Sequence, residues 1–202
     1  MKQCYLCGEE LIKNKNKSKD HVPPSCIFPP DKLSNLITVP CCKKCNKEYE
    51  QLDERMRNYF AILAGDKSGI VGQIAKRAIL ESGKLRELFL SYTKEHPTLI
   101  DDIGNQRLVF YFNDDELKTW LIRVVRGVSY YINKKRISDT AIYKLFIYPK
   151  LIPQPSDTFP MEKGLEFRPY FVSGVIQELN NDFWVLIFYD KLIFSVSIDA
   201  CD

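Results

Sequence analysis

Two short stretches, Cys4-Tyr5-Leu6-Cys7 and Cys42-Lys43-Lys44-Cys45, decide how the first third of this chain is predicted to fold. Two cysteines separated by two residues can bind one metal ion from a tight turn, and two such pairs supply the four ligands of a tetrahedral zinc site. A zinc ion bound by both pairs would hold the two ends of the intervening segment close together. This segment contains the dipeptide Asp20-His21, which a purely structural zinc site does not require.

The remaining cysteines are interpreted as bystanders. The chain has seven cysteines, and this odd number, with four in two close pairs, fits metal binding better than a disulfide framework. The alternative, four buried thiols spaced by coincidence, explains the pairs less well. Cys41 could compete with Cys42 for the metal, but only Cys42 has the two-residue gap to Cys45. The predicted bystanders are Cys26, Cys41 and Cys201.

The composition is that of a folded protein. The chain has 202 residues, of which 45% are hydrophobic, enough to bury a core in one domain or two modest ones. Its N-terminus, Met1-Lys2-Gln3-Cys4, lacks the apolar stretch of a signal peptide, and no run approaches the length that spans a bilayer. We therefore predict a cytoplasmic protein with reduced thiols and no membrane partner.

The excess positive charge is concentrated beside the paired cysteines. Residues 1–50 hold nine lysines and six acidic residues, whereas the basic and acidic groups of residues 51–202 cancel. Four lysines alternate with small polar residues just before Asp20, and such a basic loop can contact phosphates without reading sequence. A solvated surface loop is the better interpretation of a lysine run taken alone, but its position favours phosphate contact. The lysines are Lys13, Lys15, Lys17 and Lys19.

The hydrophobic pattern predicts an α+β protein. Proline pairs exclude a helix from residues 1–41, which are predicted as a knuckle with two brief extended segments. Apolar residues spaced by three and four then predict a helix from about Cys42 to Gly65-Asp66. Further helices are predicted over Ser68–Leu80, Lys84–Tyr92 and Asn113–Ile132. Strands are predicted over Arg107–Phe112, Tyr143–Tyr148, Phe167–Glu178, Phe183–Tyr189 and Leu192–Ile198, with a turn at Tyr189-Asp190-Lys191.

These elements are divided into three predicted units. Residues 1–64 form a zinc-stapled module, residues 65–104 a helical extension, and residues 105–202 a mixed unit with antiparallel strands. The third unit is electrically neutral, which argues against it as the main grip on a nucleic acid. This unit is predicted to provide target choice, a regulatory contact or a dimer surface.

Asp20, His21 and Asn46 suit metal-assisted cleavage of a phosphodiester bond. Such cleavage needs a hard divalent ion to neutralise charge on the phosphate and a base to activate water, for which imidazole suits neutral pH. Adjacent side chains on a strand point to opposite faces, so a strand end or bend must bring Asp20 and His21 to one cleft. On a helix, Cys45 would face the zinc and Asn46, about 100° further round, the second metal.

The order of these elements resembles the HNH endonucleases of the ββα-metal fold, in the version that carries a zinc knuckle. The resemblance covers roughly residues 1–60 and rests on the order and spacing of several elements rather than on any one of them. Those elements are Cys4-x-x-Cys7-Gly8, Asp20-His21-Val22-Pro23, Asn35-Leu36 and Cys42-x-x-Cys45-Asn46.

The resemblance implies a role for each matching residue. His21 would be the general base, Asp20 and Asn46 would hold a catalytic Mg²⁺ or similar divalent ion, and Asn35 would hold the loop that orients the histidine. The implied reaction is hydrolysis of DNA to 5′-phosphate and 3′-hydroxyl ends, with a homodimer as one way to cut both strands. Asn46 stands where many members have His. The structural zinc would be bound by Cys4, Cys7, Cys42 and Cys45.

Other interpretations explain less of the sequence. Asp20-His21 alone reads as a cap or turn, and Asn35 and Asn46 as ordinary turn and helix-start residues. A non-catalytic zinc module that binds nucleic acid or protein explains the cysteines and lysines, but not why these residues coincide. A structural adaptor that works through residues 105–202 is a third possibility. The other histidine, His96, precedes a proline outside the motif and is interpreted as an ordinary surface or helix-end residue.

Overall fold

The computed structural model is a mixed α+β structure, as predicted. It describes residues 2–29, 36–64, 69–81, 99–100, 106–107, 114–148, 163–167, 170–178, 181–190 and 192–199. The helices and strands are β1 (Lys17–His21), β2 (Thr38–Cys42), α1 (Lys43–Glu48), α2 (Glu50–Ala64), α3 (Gly69–Glu81), β3 (Leu99–Ile100), β4 (Gln106–Arg107), α4 (Asp114–Asn133), β5 (Ile142–Tyr148), β6 (Lys163–Phe167), β7 (Phe171–Glu178), β8 (Asn181–Phe188) and β9 (Leu192–Asp199).

The first cysteine pair lies in a tight turn that is attached to β2. Cys4 donates its N–H to the Glu9 carbonyl at 2.8 Å, and Gly8 donates to the Cys4 carbonyl at 2.9 Å. Gly8 has a φ of +74°, a conformation that glycine adopts without strain. Tyr5 donates its N–H to the Pro40 carbonyl at 3.0 Å, which fixes the turn beside the strand.

The two N-terminal strands lead directly into a helix. β1 and β2 pair antiparallel, in a register that sets Asp20 opposite Val39 and leaves His21 at the end of β1. Cys42 ends β2 and caps α1, because its sulfur accepts the N–H of Cys45 at 3.4 Å. The chain therefore places Asp20, His21 and both cysteines of the second pair on adjoining elements.

The helical run predicted after Cys42 is divided into two helices at Tyr49. α1 ends there, and α2 starts at the next residue with Glu50 and Asp53 in its first turn, where negative charge is favourable. The apolar spacing did not reveal this break, because Tyr49 fits the same periodic face. α2 ends at Ala64, immediately before the predicted Gly65-Asp66 stop.

Five antiparallel strands form the C-terminal sheet, in the order β5-β9-β8-β7-β6. The single strand predicted over Phe167–Glu178 is wrong at its start, since Phe167 belongs to β6 and β7 begins at Phe171. Tyr170 donates its N–H to the Phe167 carbonyl at 2.9 Å and closes the turn between them. The predicted turn after β8 is confirmed, with positive φ at Tyr189 and Asp190.

The described parts of both halves of the chain share one buried core. Phe60 of α2 lies 5.3 Å from Trp120 of α4, and 4.9 and 5.2 Å from Phe188 and Phe194 of the sheet, measured between ring centroids. Buried residues from the N-terminal turn, α2, α4 and the sheet belong to the same hydrophobic cluster. The division into units 1–64, 65–104 and 105–202 stays a prediction.

Several predictions concern residues outside the described ranges. No described helix is long and apolar enough to cross a membrane. The helices α3 and α4 agree with the predicted Ser68–Leu80 and Asn113–Ile132. The predictions for Asn35, His96, Cys201 and the helix over Lys84–Tyr92 fall outside the described residues. The strand predicted over Arg107–Phe112 also falls outside them, except for Arg107 itself.

Candidate active site and metal centre

The four paired cysteines come together in space. The Sγ atoms of Cys4, Cys7, Cys42 and Cys45 all lie within 4.8 Å of one another, and those of Cys7 and Cys42 are 3.8 Å apart. Four sulfurs held tetrahedrally at a Zn–S distance of about 2.3 Å lie about 3.8 Å from each other. The quartet therefore has the donor set and spacing of a structural zinc site. It is the one such group of three or more Cys, His, Asp or Glu side chains found among the described residues.

Cys41 lies beside this quartet but does not belong to it. Neighbouring side chains on a strand point to opposite faces, so Cys41 and Cys42 diverge at the end of β2. The Cys41 thiol lies 3.9 Å from the sulfur of Cys4, and this hydrogen bond lowers the pKa of Cys4 to about 4. Cys42, and not Cys41, therefore completes the group of four sulfurs, and its role as a metal ligand stays a prediction.

A cleft of about 440 Å³ opens beside the cysteine quartet. Asp20 and His21 both line this cleft. They lie at the end of β1, and a strand end is one of the places where two adjacent side chains were expected to reach the same cleft. Asp20 is only 4% exposed, whereas His21 is half-buried. β1, α1 and α2 line the cleft with charged and polar side chains, which include Lys19, Asp20, His21, Lys43, Asn46, Lys47 and Asp53.

The Asp20 carboxylate is held by two side chains from distant parts of the chain. Its Oδ2 atom accepts the Tyr5 hydroxyl at 2.6 Å and two N–H groups of Arg123, from Nη2 at 2.8 Å and Nε at 3.2 Å. Its Oδ1 atom accepts one N–H from Arg123 Nη2 at 2.7 Å. The two Arg123 nitrogens thus bind the carboxylate as a fork, the geometry in which arginine is strongest.

Arg123 bridges Asp20 to a second carboxylate on α2. Its Nη1 atom donates to Asp53, and Trp120 also donates to Asp53, from Nε1 at 2.8 Å. The ring of Tyr49, at the break between α1 and α2, lies 4.6 Å from the guanidinium carbon, a cation–π contact. The Arg123 side chain is 3% exposed, and the two carboxylates that it joins, Asp20 and Asp53, both line the cleft.

The burial of these groups is reflected in their proton affinities. Burial alone would lower the pKa of Arg123, but its acidic neighbours Tyr5, Asp20 and Asp53 raise it above the ordinary value. Burial raises the pKa of Asp53, and the hydrogen bonds from Arg123 and Trp120 act against that rise. The guanidinium therefore stays charged and supplies the positive charge that the buried Asp20 carboxylate and the partly buried Asp53 carboxylate need.

Asn46 lies where the helical geometry of α1 predicts it. Cys45 joins the cysteine quartet, while the next side chain, Asn46, lines the cleft. The Asn46 Nδ2 group donates to the Ser18 hydroxyl at 3.4 Å. The carbonyl oxygen of the Asn46 side chain takes no part in that hydrogen bond. A hard cation would bind through this oxygen.

The lysines predicted to contact phosphate are only partly gathered at the cleft. All four side chains from Lys13 to Lys19 are exposed, but Lys19 alone among them lines the cleft. Two lysines of α1 that the sequence analysis did not select, Lys43 and Lys47, line it as well. They lie one turn apart on a helix, and this i, i+4 spacing was the available signal.

Sequence reasoning also missed the residues behind the cleft. Arg123 lies between Trp120 and Gly127 on the buried face of α4. A charged residue on the apolar face of a helix indicates a buried partner, but the sequence alone does not say which one. Tyr5 and Asp53 carried no separate signal, because both fit ordinary core and helix-start patterns.

The comparisons with known proteins agree with this geometry. Residues 4–61 match the family model described as HNH endonuclease, well under half of the chain but including the cysteine quartet, β1, β2 and α1. No curated protein and no solved structure matches the chain. The family match indicates a nuclease-type function and a nucleic-acid substrate, and does not favour a purely non-catalytic module. Together with the clustered cysteines, it confirms the resemblance seen in the sequence: residues 4–61 are similar to the HNH endonuclease family.

Proposed function

We propose that this protein is a metal-dependent endonuclease that hydrolyses phosphodiester bonds of DNA. One observation carries the proposal: Asp20, His21 and Asn46 line a single cleft beside a four-cysteine cluster, within the segment that matches HNH endonucleases. On this proposal β1, β2 and α1 are the ββα-metal unit. Asn35, outside the described residues, is assigned to the loop that orients His21.

His21 is the proposed general base. Its half-buried side chain at the end of β1 is open to the cleft, so it can accept a proton from a water molecule that attacks the scissile phosphorus in line. An imidazole changes its protonation state near neutral pH and suits this step. The phosphate remains on the 5′ end and the 3′ oxygen leaves.

Asp20 and Asn46 are the proposed ligands of a divalent ion such as Mg²⁺. A carboxylate and an amide carbonyl are hard oxygen donors of the kind that Mg²⁺ prefers, so the donor set fits. A bound ion would supply charge neutralisation at the phosphate and the leaving oxygen. The protein contributes by holding Asp20 rigidly through Tyr5 and Arg123 and by setting Asn46 on α1.

Exposed lysines are the proposed contacts to the DNA backbone. Lys19, Lys43 and Lys47 stand at the cleft, and the loop lysines at positions 13, 15 and 17 extend the positive surface along the same hairpin. Contacts to phosphates position a substrate without selecting its sequence. Sequence or structure preference therefore has to come from other parts of the chain, for which residues 105–202 are proposed.

The remaining proposals concern the setting of the enzyme. Zinc in the cysteine quartet is structural, and a reducing compartment such as the cytoplasm suits its four thiolates. The described cysteines form no disulfides. A homodimer would let two single sites cut both strands of a duplex, and it stays a prediction.

The proposal is tested by plasmid nicking with wild type, His21→Ala and His96→Ala. His96 is the only other histidine of the chain, so His96→Ala is a matched control. With Mg²⁺, Mn²⁺ or Ni²⁺ we expect His21→Ala to lose about 10²- to 10⁴-fold in rate. We expect about one zinc per chain in all three proteins, and wild-type activity in His96→Ala.

Two outcomes would contradict the proposal. Salt-sensitive DNA binding without cleavage under any metal, in a protein with intact zinc, would support the non-catalytic binding module instead. Equal cleavage by wild type and His21→Ala would show that His21 is not the base or that the activity comes from a contaminant. As a second check, Mn²⁺ binding should survive His21→Ala, because His21 is assigned to the water and not to the metal.

A further inference from the structure

We propose that Arg123 is a positioning residue of the nuclease site, which orients the Asp20 carboxylate so that Oδ1 can bind a divalent ion. The inference rests on the proposed function and extends the site beyond the matched segment 4–61 to α4. It also gives the second half of the chain a role in the chemistry itself, alongside any part in target choice.

The hydrogen-bond capacity of Asp20 supports this assignment. A carboxylate oxygen offers about two lone-pair positions. Oδ2 already accepts Tyr5 Oη, Arg123 Nη2 and Arg123 Nε, at 2.6, 2.8 and 3.2 Å. Oδ1 accepts only Arg123 Nη2, at 2.7 Å, among the described residues. The capacity left for a metal therefore lies on Oδ1, and Asp20 would bind through one oxygen.

Arg123 can impose this orientation because its own position is fixed on several sides. The guanidinium also donates to Asp53, whose other partner is Trp120 on the same helix as Arg123. It lies over the Tyr49 ring and is 3% exposed. Rotation of the Asp20 carboxylate would break the fork to Arg123 and leave buried polar groups unpaired, which is unfavourable.

A charge-conserving substitution separates orientation from simple attraction. Arg123→Lys keeps the positive charge beside the site but loses the planar fork that grips both carboxylates. A change in metal binding then reports geometry. Arg55→Lys is the matched control, because Arg55 also joins α2 to α4, through Glu116 at 3.0 Å, and does not line the cleft.

The experiment is a Mn²⁺ titration of the zinc-loaded full chain, in which electron paramagnetic resonance measures free Mn²⁺. Loss of a hydrogen-bonding partner of a metal ligand commonly weakens metal binding by 10- to 100-fold, so we expect Arg123→Lys to weaken Mn²⁺ binding about tenfold. DNA cleavage should fall in parallel at low Mn²⁺ and recover at saturating Mn²⁺. Because Mn²⁺ would also rescue a destabilised fold by mass action, circular dichroism of the zinc-loaded proteins without Mn²⁺ checks that Arg123→Lys is folded. Arg55→Lys should match wild type.

The other possible outcomes each test one specific claim. Unchanged Mn²⁺ binding by a folded Arg123→Lys protein would overturn the role of Arg123 and leave the nuclease proposal intact. If wild type itself binds no Mn²⁺ and cuts no DNA, the proposed function fails, and this inference with it. If Arg123→Lys does not fold, Tyr5→Phe decides, since it removes only the hydroxyl donor to Oδ2. A loss of a few-fold in Mn²⁺ affinity supports the orientation argument, and no loss overturns it.

Discussion

The cysteine quartet and the Asp20–Arg123–Asp53 cluster both adjoin the cleft lined by β1, α1 and α2 but are assembled differently. Each cysteine pair is local, the first in a tight turn and the second at the start of α1, and the spacing within each pair is visible in the sequence. Arg123, by contrast, lies 103 positions from Asp20 and 70 from Asp53 along the chain. Local spacing is thus enough to predict a candidate metal site, whereas a buried ion pair between distant elements can be identified only from the fold.

The difference predicts that the two clusters fail in different ways. Zinc bound by the quartet would supply folding free energy, since the four cysteines are not gathered in an unfolded chain. The carboxylate cluster depends on the packing of α4 against the N-terminal elements. Disruption of the quartet should therefore affect zinc content first, and disruption of the other cluster should leave zinc in place.

The largest expected effect is that of Cys42→Ser. Structural zinc contributes on the order of 10 kcal/mol to the folding of small zinc modules, and Cys42 is one of the four clustered cysteines proposed to bind it. We expect loss of bound zinc, measured by a chromogenic chelator, and an early thermal transition. Cys26→Ser is the control, because the Cys26 thiol donates to the Asp53 carbonyl and lies outside the quartet. Full zinc in Cys42→Ser would contradict the assignment and point to Cys41 as a substitute ligand.

A smaller but still large effect is expected from Arg123→Met. Removal of one partner from a buried ion pair typically costs about 3–5 kcal/mol, because the other charge stays buried without compensation. Here two carboxylates, on Asp20 and Asp53, lose their shared partner. Urea unfolding of the zinc-loaded protein measures the loss. Arg55→Met should cost less than about 1 kcal/mol, since the side chains of Arg55 and Glu116 are 42% and 35% exposed. Equal losses of unfolding free energy in the two variants would show that the buried bridge stabilises the fold no more than the exposed pair does.

The extent of sequence-based prediction follows the same division. The quartet, the strand end at Asp20-His21 and the position of Asn46 on a helix all follow from short-range spacing, and the structure places them accordingly. The break at Tyr49 was not predictable, because a periodic apolar face looks the same with or without it. The partner of Arg123 was not predictable either, since many carboxylates could have paired with it. The second feature depends on how α4 packs against the N-terminal elements.

An intermediate effect is expected where α4 touches the segment after His21. A Cβ atom at Gly127 would lie 2.5 and 2.8 Å from the two Cγ atoms of Val22, so Gly127→Ala requires the helix or the loop to move. Overpacking of this kind costs about 1–3 kcal/mol, whereas a helical Gly→Ala change without a clash stabilises by up to about 1 kcal/mol. The sign of the change in unfolding free energy is therefore diagnostic.

A double mutant sharpens this test. Val22→Ala removes both clashing methyl groups, so Gly127→Ala should be much less destabilising in the Val22→Ala background than alone. Additive effects would show that the two residues do not constrain each other. A stabilising Gly127→Ala would overturn the close approach of α4 to the candidate site.

The smallest expected effect concerns the surface link between α4 and the first cysteine turn. Arg126 and Arg136 both donate to the Leu6 carbonyl, at 2.8 and 2.9 Å, and both pair with Asp139. The Asp139 side chain is 63% exposed, so solvent screens these pairs, and Asp139→Asn should cost less than about 1 kcal/mol.

The pH dependence of that small loss is a sharper test than its size. The Arg136 hydrogen bond, supported by Arg126, lowers the pKa of Asp139 below its usual value of 3.8. A carboxyl with a lowered folded-state pKa stabilises the fold above its unfolded pKa and loses that contribution as pH falls through the folded one. Between pH 6 and 8 the difference between wild type and Asp139→Asn should therefore be constant, and 1 M salt should reduce it. A difference that varies within this range would mean that a group other than Asp139 controls the link, and the cysteine turn would then depend on α4 through different contacts.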